Sequence, residues 1–310
     1  MNLADLEAFL TVADGGSFSR AAERLHVTQP AVTKRVQALE SALSCRLFDR
    51  VGRRIYLTDA GRVLRPRAEA LLRGLADTRR ELRDLDRRVA GELGLATSHH
   101  VGLHRLAPAL RAFTRRYPDV QLDIRFEDSE DAHDLVRRAE TEIAVVTLNP
   151  KGDPELDSRV LWEDPLVFVA SEEHELARER DLSLARLAAA QPVLPGRTTY
   201  TGRIVLEAFA DAGFNVRPNL ATNYLETIAM LVGIGLGWSV LPRSMIKPPL
   251  VVLEVDAPPL KRSLGCVTNP RRSLSNAAQA FQQVLLEFAD HASPPARPVT
   301  DPARDAGRGA

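Results

Sequence analysis

Apolar positions in the first ninety or so residues recur at helical spacing. Leu3, Leu6, Leu10 and Ala13 form one stripe, with Asn2 placed to cap it, Asp5 at the third position and Gly15-Gly16 as the stop. From Ser17 to Leu43 the pattern predicts two short helices with a tight break at Leu25-His26-Val27. Ala21, Ala22 and Leu25 let the first of these lie close to its neighbours. In the second, Val32, Val36, Leu39 and Leu43 fall at i, i+4, i+7 and i+11 and make one apolar face. Thr28 suits its N-cap and Pro30 its first turn, where a missing N–H costs little. Leu47-Phe48 and Ile55-Tyr56-Leu57 then predict two short strands around an arginine-rich turn, and Thr58 opens a long helix to about Arg88.

Along that helix Leu64, Ala68, Leu71, Leu75, Thr78, Leu82, Leu85 and Val89 alternate at spacings of four and three, a heptad seam with one polar position. Such a helix can pack on its own domain. Because the preceding segments look too small to cover the seam, the expectation is a two-chain interface through Leu64, Leu71, Leu75, Leu82 and Leu85. From Gly91 strands and helices alternate. Strands are expected at Glu92–Thr97, Val120–Glu127, Ile143–Thr147, Leu166–Ala170, Leu220–Thr222, Trp238–Leu241, Leu250–Val255 and Leu264–Thr268. Helices are expected at His104–Arg116, Ala132–Ala139, Thr201–Ala212, Leu225–Val232 (opened by a capping box from Asn223 to Glu226) and Ser275–Asp290. Repeated β–α units argue for parallel, doubly wound sheets. Residues 291–310 are rich in Pro, Ala, Gly and Arg without apolar periodicity and are expected to be disordered.

The face of the Thr28-to-Leu43 helix opposite its apolar stripe carries Pro30, Thr33, Lys34 and Gln37, flanked by Gln29 and Arg35. Hydrogen-bonding and cationic groups at a helix start suit the DNA major groove, where Gln can bond adenine and Lys or Arg guanine. A solvated helix face is the plainer alternative. The turn arginines Arg50, Arg53 and Arg54 suit phosphate or the minor groove. The run GGSFSRAAERLHVTQPAVTKRVQALE resembles the helix-turn-helix of LysR-type transcriptional regulators nearly position for position, and the resemblance extends from Met1 to about Asp290. It adds Ser17, Ser19 and Thr28 to the expected DNA contacts. It implies a winged helix-turn-helix domain over 1–58, a linker and dimerisation helix over 59–89, and a two-lobed α/β effector domain over 90–290. Lobe I would take about 91–162 and 265–290, and lobe II about 163–264, with chain crossings near Trp162–Pro165 and Leu260–Cys266. It also implies a tetramer built as a dimer of dimers, which RNA polymerase could meet at a promoter.

Charge fits a polyanion partner for one domain only. Residues 1–90 carry 17 Lys+Arg against 12 Asp+Glu, a net +5, whereas the rest nets −5 in a chain that is neutral overall. Length, with 310 residues, favours two domains, and 45% hydrophobic with 26% charged residues is ordinary for a soluble protein. Two distant cysteines, Cys45 and Cys266, make neither a disulfide framework nor a metal cluster, so a reducing cytoplasm is expected. The N-terminus lacks a signal-peptide pattern, and the longest apolar run, Ile228–Pro242, is too short and too broken to span a membrane.

Strand ends and helix starts expose free N–H groups that favour anions. Thr97, Ser98, His99, His100, Thr147, Thr198, Thr199 and Thr222 occupy such positions, although each can also be a simple cap. The resemblance implies an effector between the lobes, expected to be a small anionic metabolite. His100 and His104 stand at i, i+4, a spacing that can hold zinc, but no HExxH glutamate follows and no cysteine joins them. No metal or cofactor is therefore expected, and an anion meeting His99 or His100 is preferred. An α/β enzyme or metal-responsive sensor with an accessory DNA-binding part is the alternative, and an architectural DNA binder is a third. Against the enzyme, there is no G-x-S-x-G elbow or phosphate-binding glycine loop. The glycines at 233, 235 and 237 follow a helix and are read as a tight helix-to-strand connection.

Overall fold

The computed structural model describes residues 2–51, 54–84, 88–218 and 222–289. The chain divides into two compact units, 1–86 and 87–310. The expected strand at Leu220–Ala221, the turn residue Arg53, the seam residue Leu85 and the tail 291–310 lie outside the described residues.

In the first unit, α1 (Leu3–Gly15) opens on a complete capping box, with the Asn2 side chain accepting from the Asp5 N–H and the Asp5 carboxylate accepting from the Asn2 N–H. α2 (Phe18–Arg24) and α3 (Gln29–Leu43) follow, and His26 takes a left-handed φ of 51° in the break between them. Ala8, Val12, Phe18, Ala21, Ala22, Val32 and Val36 form the core that locks the three helices. Leu43 departs from the expected face and is 38% exposed at the helix end, one residue before Ser44 turns left-handed. β1 (Phe48–Val51) and β2 (Arg54–Leu57) pair antiparallel as the expected wing.

α4 (Asp59–Asp84) starts at Thr58, whose hydroxyl accepts from the Gly61 N–H and donates to the Arg46 carbonyl. Contrary to the sequence expectation, the first unit's own core takes up part of this helix. Ala68 is fully buried with Leu6, Phe9, Leu39 and Leu47, and Leu64 and Leu72 pack on the same cluster. The unit therefore covers the first turns of the seam itself. Beyond them Leu71 and Leu82 are 53% and 65% exposed, and Leu75 is half-buried.

The second unit is built on one mixed sheet rather than two parallel ones. Its strand order is β4-β3-β5-β11-β6-β8, with β9 also pairing β6. β3 (Gly91–Thr97), β4 (Val120–Phe126) and β5 (Ile143–Thr147) run parallel, as expected. β6 (Asp157–Ser171) and β11 (Leu260–Thr268) are long and pair antiparallel to each other. β8 (Ser239–Pro242) and β9 (Leu250–Val252) are antiparallel to β6. The two chain crossings are therefore neighbouring strands, with Trp162 opposite Leu264 and Pro165 opposite Lys261. Sequence reading caught only the end of β6, because Glu163-Asp164-Pro165 interrupts its apolar pattern. A further parallel pair, β7 (Leu182–Ser183) with β10 (Val255–Asp256), and α8 (Leu184–Ala188) went unanticipated.

Apolar residues gather at both ends of the sheet. Leu93, Leu95, Phe113, Ile143, Phe281 and their neighbours fill one lobe, and Phe168, Leu187, Val205, Phe209, Trp238 and Val240 the other. Around the first lobe pack α5 (His99–Val101), a π turn (Gly102–Leu106), α6 (Ala107–Arg116), α7 (Ser129–Arg137) and α11 (Asn276–Glu287). Around the second pack α9 (Tyr200–Asp211) and α10 (Leu225–Gly233). Gly235 and Gly237, at φ of 86° and 148°, make the tight connection from α10 to β8.

Candidate functional site

Two sites assemble from the predicted residues, one in each unit. In the first, Thr28, Gln29, Pro30, Lys34 and Gln37 are exposed along the start of α3, while Thr33 and Arg35 are half-buried. The Gln29 amide donates to the Thr33 hydroxyl at 2.9 Å. That contact orients Gln29 along the helix face and leaves its carbonyl oxygen as an acceptor. Thr28 is the N-cap in extended conformation, but its side chain makes no capping bond. Ser17 instead caps α2 through the Arg20 N–H, and Ser19 is exposed on the same helix. Arg50 and Arg54 stand on β1 and β2, four residues apart across the wing.

In the second unit the predicted segments meet at a cleft between the lobes. A small pocket is lined by Ser98, His100, Thr147 and Thr199, joined by Ser129, Glu130, Tyr200 and Arg262. Beside it a wider opening takes in His99, Thr198 and Thr222, with Asp131, Arg197 and Tyr224. His99 sits edge-on to Tyr224 and Phe126, with ring centroids 5.3 and 6.1 Å away. Seven of the eight expected residues therefore reach the cleft. Thr97 does not: it is fully buried, and its hydroxyl donates to the Val145 carbonyl at 2.8 Å, which ties β3 to β5.

Three features shape the start of α9. Thr199 caps it, accepting from the Gly202 N–H at 3.0 Å and donating to the Gly196 carbonyl at 2.8 Å. Gly202 brings this turn against the loop before it, since a Cβ there would meet the Gly196 oxygen at 2.2 Å. The Tyr200 N–H points across the cleft, and the Glu130 carboxylate on α7 accepts from it. Burial raises the Glu130 carboxyl above its ordinary pKa, against the pull of its backbone hydrogen bonds. Glu130, Ser129 and Asp128 escaped sequence reading because the helix was expected to begin at Ala132, whereas α7 starts at Ser129. Asn223 does not form the expected capping box. Its amide donates to Asp128, and its carbonyl oxygen accepts from the Gly196 N–H, while Tyr224 occupies the N-cap position of α10 without a side-chain capping bond.

Behind the pocket lies a buried ionic group. Arg262 on β11 and Asp164 on β6 are 4% and 1% exposed. The Arg262 Nε donates to Asp164 Oδ2 at 2.9 Å, Nη2 lies 2.8 Å from the same oxygen, and Nη1 donates to the Thr201 hydroxyl at 3.0 Å. Burial pulls the guanidinium below the usual arginine pKa, with Asp164 opposing. Arg105 adds a 3.4 Å contact to Asp164. His100 lies against this group, and burial followed by the Arg262 charge lowers its pKa to about 4. Glu226, at the start of α10, reaches His104 Nε2 at 3.0 Å and His100 Nδ1 at 3.4 Å. None of Arg262, Asp164 or Glu226 carries a sequence motif that would have assigned it to the cleft.

Comparison with known proteins follows the same division. The family profile described as "Bacterial regulatory helix-turn-helix protein, lysR family" matches residues 3–62, and that described as "LysR substrate binding domain" matches residues 86–290. The RuBisCO operon transcriptional regulator of Allochromatium vinosum is 30% identical over 93% of this chain and 97% of its own. An HTH-type transcriptional regulator in the ibpB-leuC intergenic region of Azotobacter vinelandii is 62% identical over 108 residues, 35% of this chain and 75% of that one. Among solved structures, full-length CbnR complexed with its target DNA superposes with a TM-score of 0.66 at 21% identity, covering 93% of this chain and 100% of that chain.

Proposed function

The chain belongs to the LysR family of transcriptional regulators, and from that premise we propose how it reads DNA and what it senses. It is a DNA-binding regulator with an effector-binding domain, not an enzyme. Gln29, Thr33 and Lys34 read base edges in the major groove, helped by Thr28, Pro30 and Arg35. Ser17, Ser19, Arg50, Arg53 and Arg54 hold phosphate or the minor groove. The exposed, pre-oriented Gln29 at the start of α3 is the observation that carries this reading. It works in the cytoplasm as a dimer of dimers, and RNA polymerase is its partner at the promoter. Among the described residues no helix is long and apolar enough to cross a membrane.

The test is anisotropy titration on the duplex found by footprinting beside its gene. Gln29→Ala should cost about 1–3 kcal/mol of discrimination between that duplex and a scrambled one. Arg53→Ala should weaken both duplexes and lower the salt slope. Unchanged affinity and specificity in Gln29→Ala would remove α3 from the groove.

For the effector, the reading is a small carboxylate or other anion at the start of α9. Support comes from Glu130, because the protein's own carboxylate already takes that N–H. The effector exchanges for Glu130, and Ser98, Thr147, Thr198 and Thr199 supply hydroxyls around it. Glu130→Gln removes a competing anion while leaving a side chain of similar shape. A thermal-shift screen of organic acids and oxyanions should therefore give a hit that binds Glu130→Gln about tenfold more tightly than the wild type, or better. A hit whose affinity ignores both Glu130→Gln and Ser98→Ala places the effector elsewhere.

A further inference from the structure

We propose that His100, His104 and Glu226 bind one divalent first-row transition-metal ion, zinc or a substitute such as cobalt or nickel, and that this ion joins the two lobes. His100 lies on α5 and His104 in the π turn after it, with ring centroids 4.7 Å apart. Glu226 comes from α10 in the other lobe, 122 residues further along the chain than His104. One nitrogen from each ring and one carboxylate oxygen all lie within 4.8 Å of one another.

The spacing suits an ion. Zinc–ligand bonds of about 2.0–2.1 Å at tetrahedral angles put neighbouring donor atoms roughly 3.3 Å apart. Glu226 Oε1 stands 3.0 Å from His104 Nε2 and 3.4 Å from His100 Nδ1. Two imidazoles and a carboxylate form a donor set typical of zinc sites that keep a fourth position open.

A hydrogen bond tying the lobes would explain His104 alone. It leaves His100, which is 5% exposed and makes no hydrogen bond through either ring nitrogen among the described residues. The second carboxylate oxygen of Glu226 is likewise buried without a hydrogen-bond partner. Buried polar atoms are rarely left so, and these belong to two of the three side chains. The surrounding charges balance before an ion enters, since Arg262 and Arg105 face Asp164 and Glu226. Sequence spacing argued against a metal for want of a third ligand near the histidines, and the fold supplies it from the opposite lobe. The metal and the carboxylate effector are independent: either can fail while the other stands.

The full-length protein, stripped with a chelator, is titrated with zinc chloride by calorimetry and with cobalt chloride by visible absorption, and its thermal unfolding is followed with and without zinc. The expected result is one ion per chain, the intense absorption of tetrahedral cobalt, and a higher melting temperature with zinc. His104→Ala and Glu226→Gln should each weaken binding about a hundredfold or more and abolish the thermal shift. His174→Ala, at a distant helix cap, should change neither. Glu226→Gln keeps size and hydrogen-bonding capacity, and circular dichroism of both variants verifies the fold. Absence of saturable binding in the wild type, or wild-type affinity in both folded variants, overturns the site.

Discussion

Asp164→Ala is expected to destabilise the second unit by about 3–5 kcal/mol, because it strands a buried guanidinium. Asp164 and Arg262 are direct cross-strand partners where β6 and β11 pass between the lobes. Both are almost fully buried, and Arg262 also donates to Thr201 on α9. Arginine cannot escape by losing its proton, even where burial lowers its pKa. What remains is the Thr201 dipole and the charge of Glu226, which makes no hydrogen bond to the guanidinium among the described residues. Denaturant unfolding monitored at Trp162 and Trp238, both buried in this unit, reads the loss as a lower midpoint. A double variant, Asp164→Leu with Arg262→Met, removes both charges and should recover most of the stability, since apolar replacement of a buried pair is often neutral or better. A midpoint within the error of the wild type for Asp164→Ala would mean that water or a neighbour neutralises Arg262.

That ion pair also marks where sequence reading stops. Helical stripes such as Val32, Val36 and Leu39 were legible because each helix buries one face locally, and the structure buries those residues. The parallel strands were legible because residues 143–146 form one apolar run and Leu93 and Leu95 alternate along theirs. β6 and β11 were only half legible. Their crossing segment carries Glu163, Asp164, Lys261 and Arg262, a polar pattern that resembles a loop until the two strands are set side by side. The cleft shares that property. Ser98 and Thr199 could be found from strand ends and helix starts. Glu130, Glu226 and Arg262 could not, because each acquires its role from a residue more than fifty positions away.

The cleft residues act on one equilibrium. Glu130 on Tyr200, Asn223 on Asp128 and His104 on Glu226 all join one lobe to the other. An effector regulates only if it binds two arrangements unequally, so exchanging a bridging contact for an effector contact is the physical route to a signal. A carboxylate that takes the Tyr200 N–H frees Glu130 and changes the tie between lobes, whereas an ion on His100, His104 and Glu226 tightens it.

Leu71→Arg combined with Leu82→Arg should break the α4 dimer without unfolding the chain. These leucines are 53% and 65% exposed on α4, whereas Leu64 and Ala68 are already covered by their own unit. Substituting Leu64 would confuse folding with assembly, and half-buried Leu75 is less clean. Exposed positions on a 26-residue helix tolerate arginine well in the isolated chain. If the seam pairs two chains, four leucines leave the interface and four cations enter it. Burying the exposed part of each leucine is worth about 1–2 kcal/mol, so the dimer loses at least about 4 kcal/mol before the cost of confined charge is added. That is roughly a thousandfold in dissociation constant. The mass read by light scattering should fall to half that of the wild-type assembly at micromolar concentration, while circular dichroism stays as in the wild type. Binding to a two-fold symmetric operator should drop by a similar factor, because a single α3 then meets a single half-site. A folded double variant with unchanged mass and operator affinity would show that α4 does not hold the assembly together.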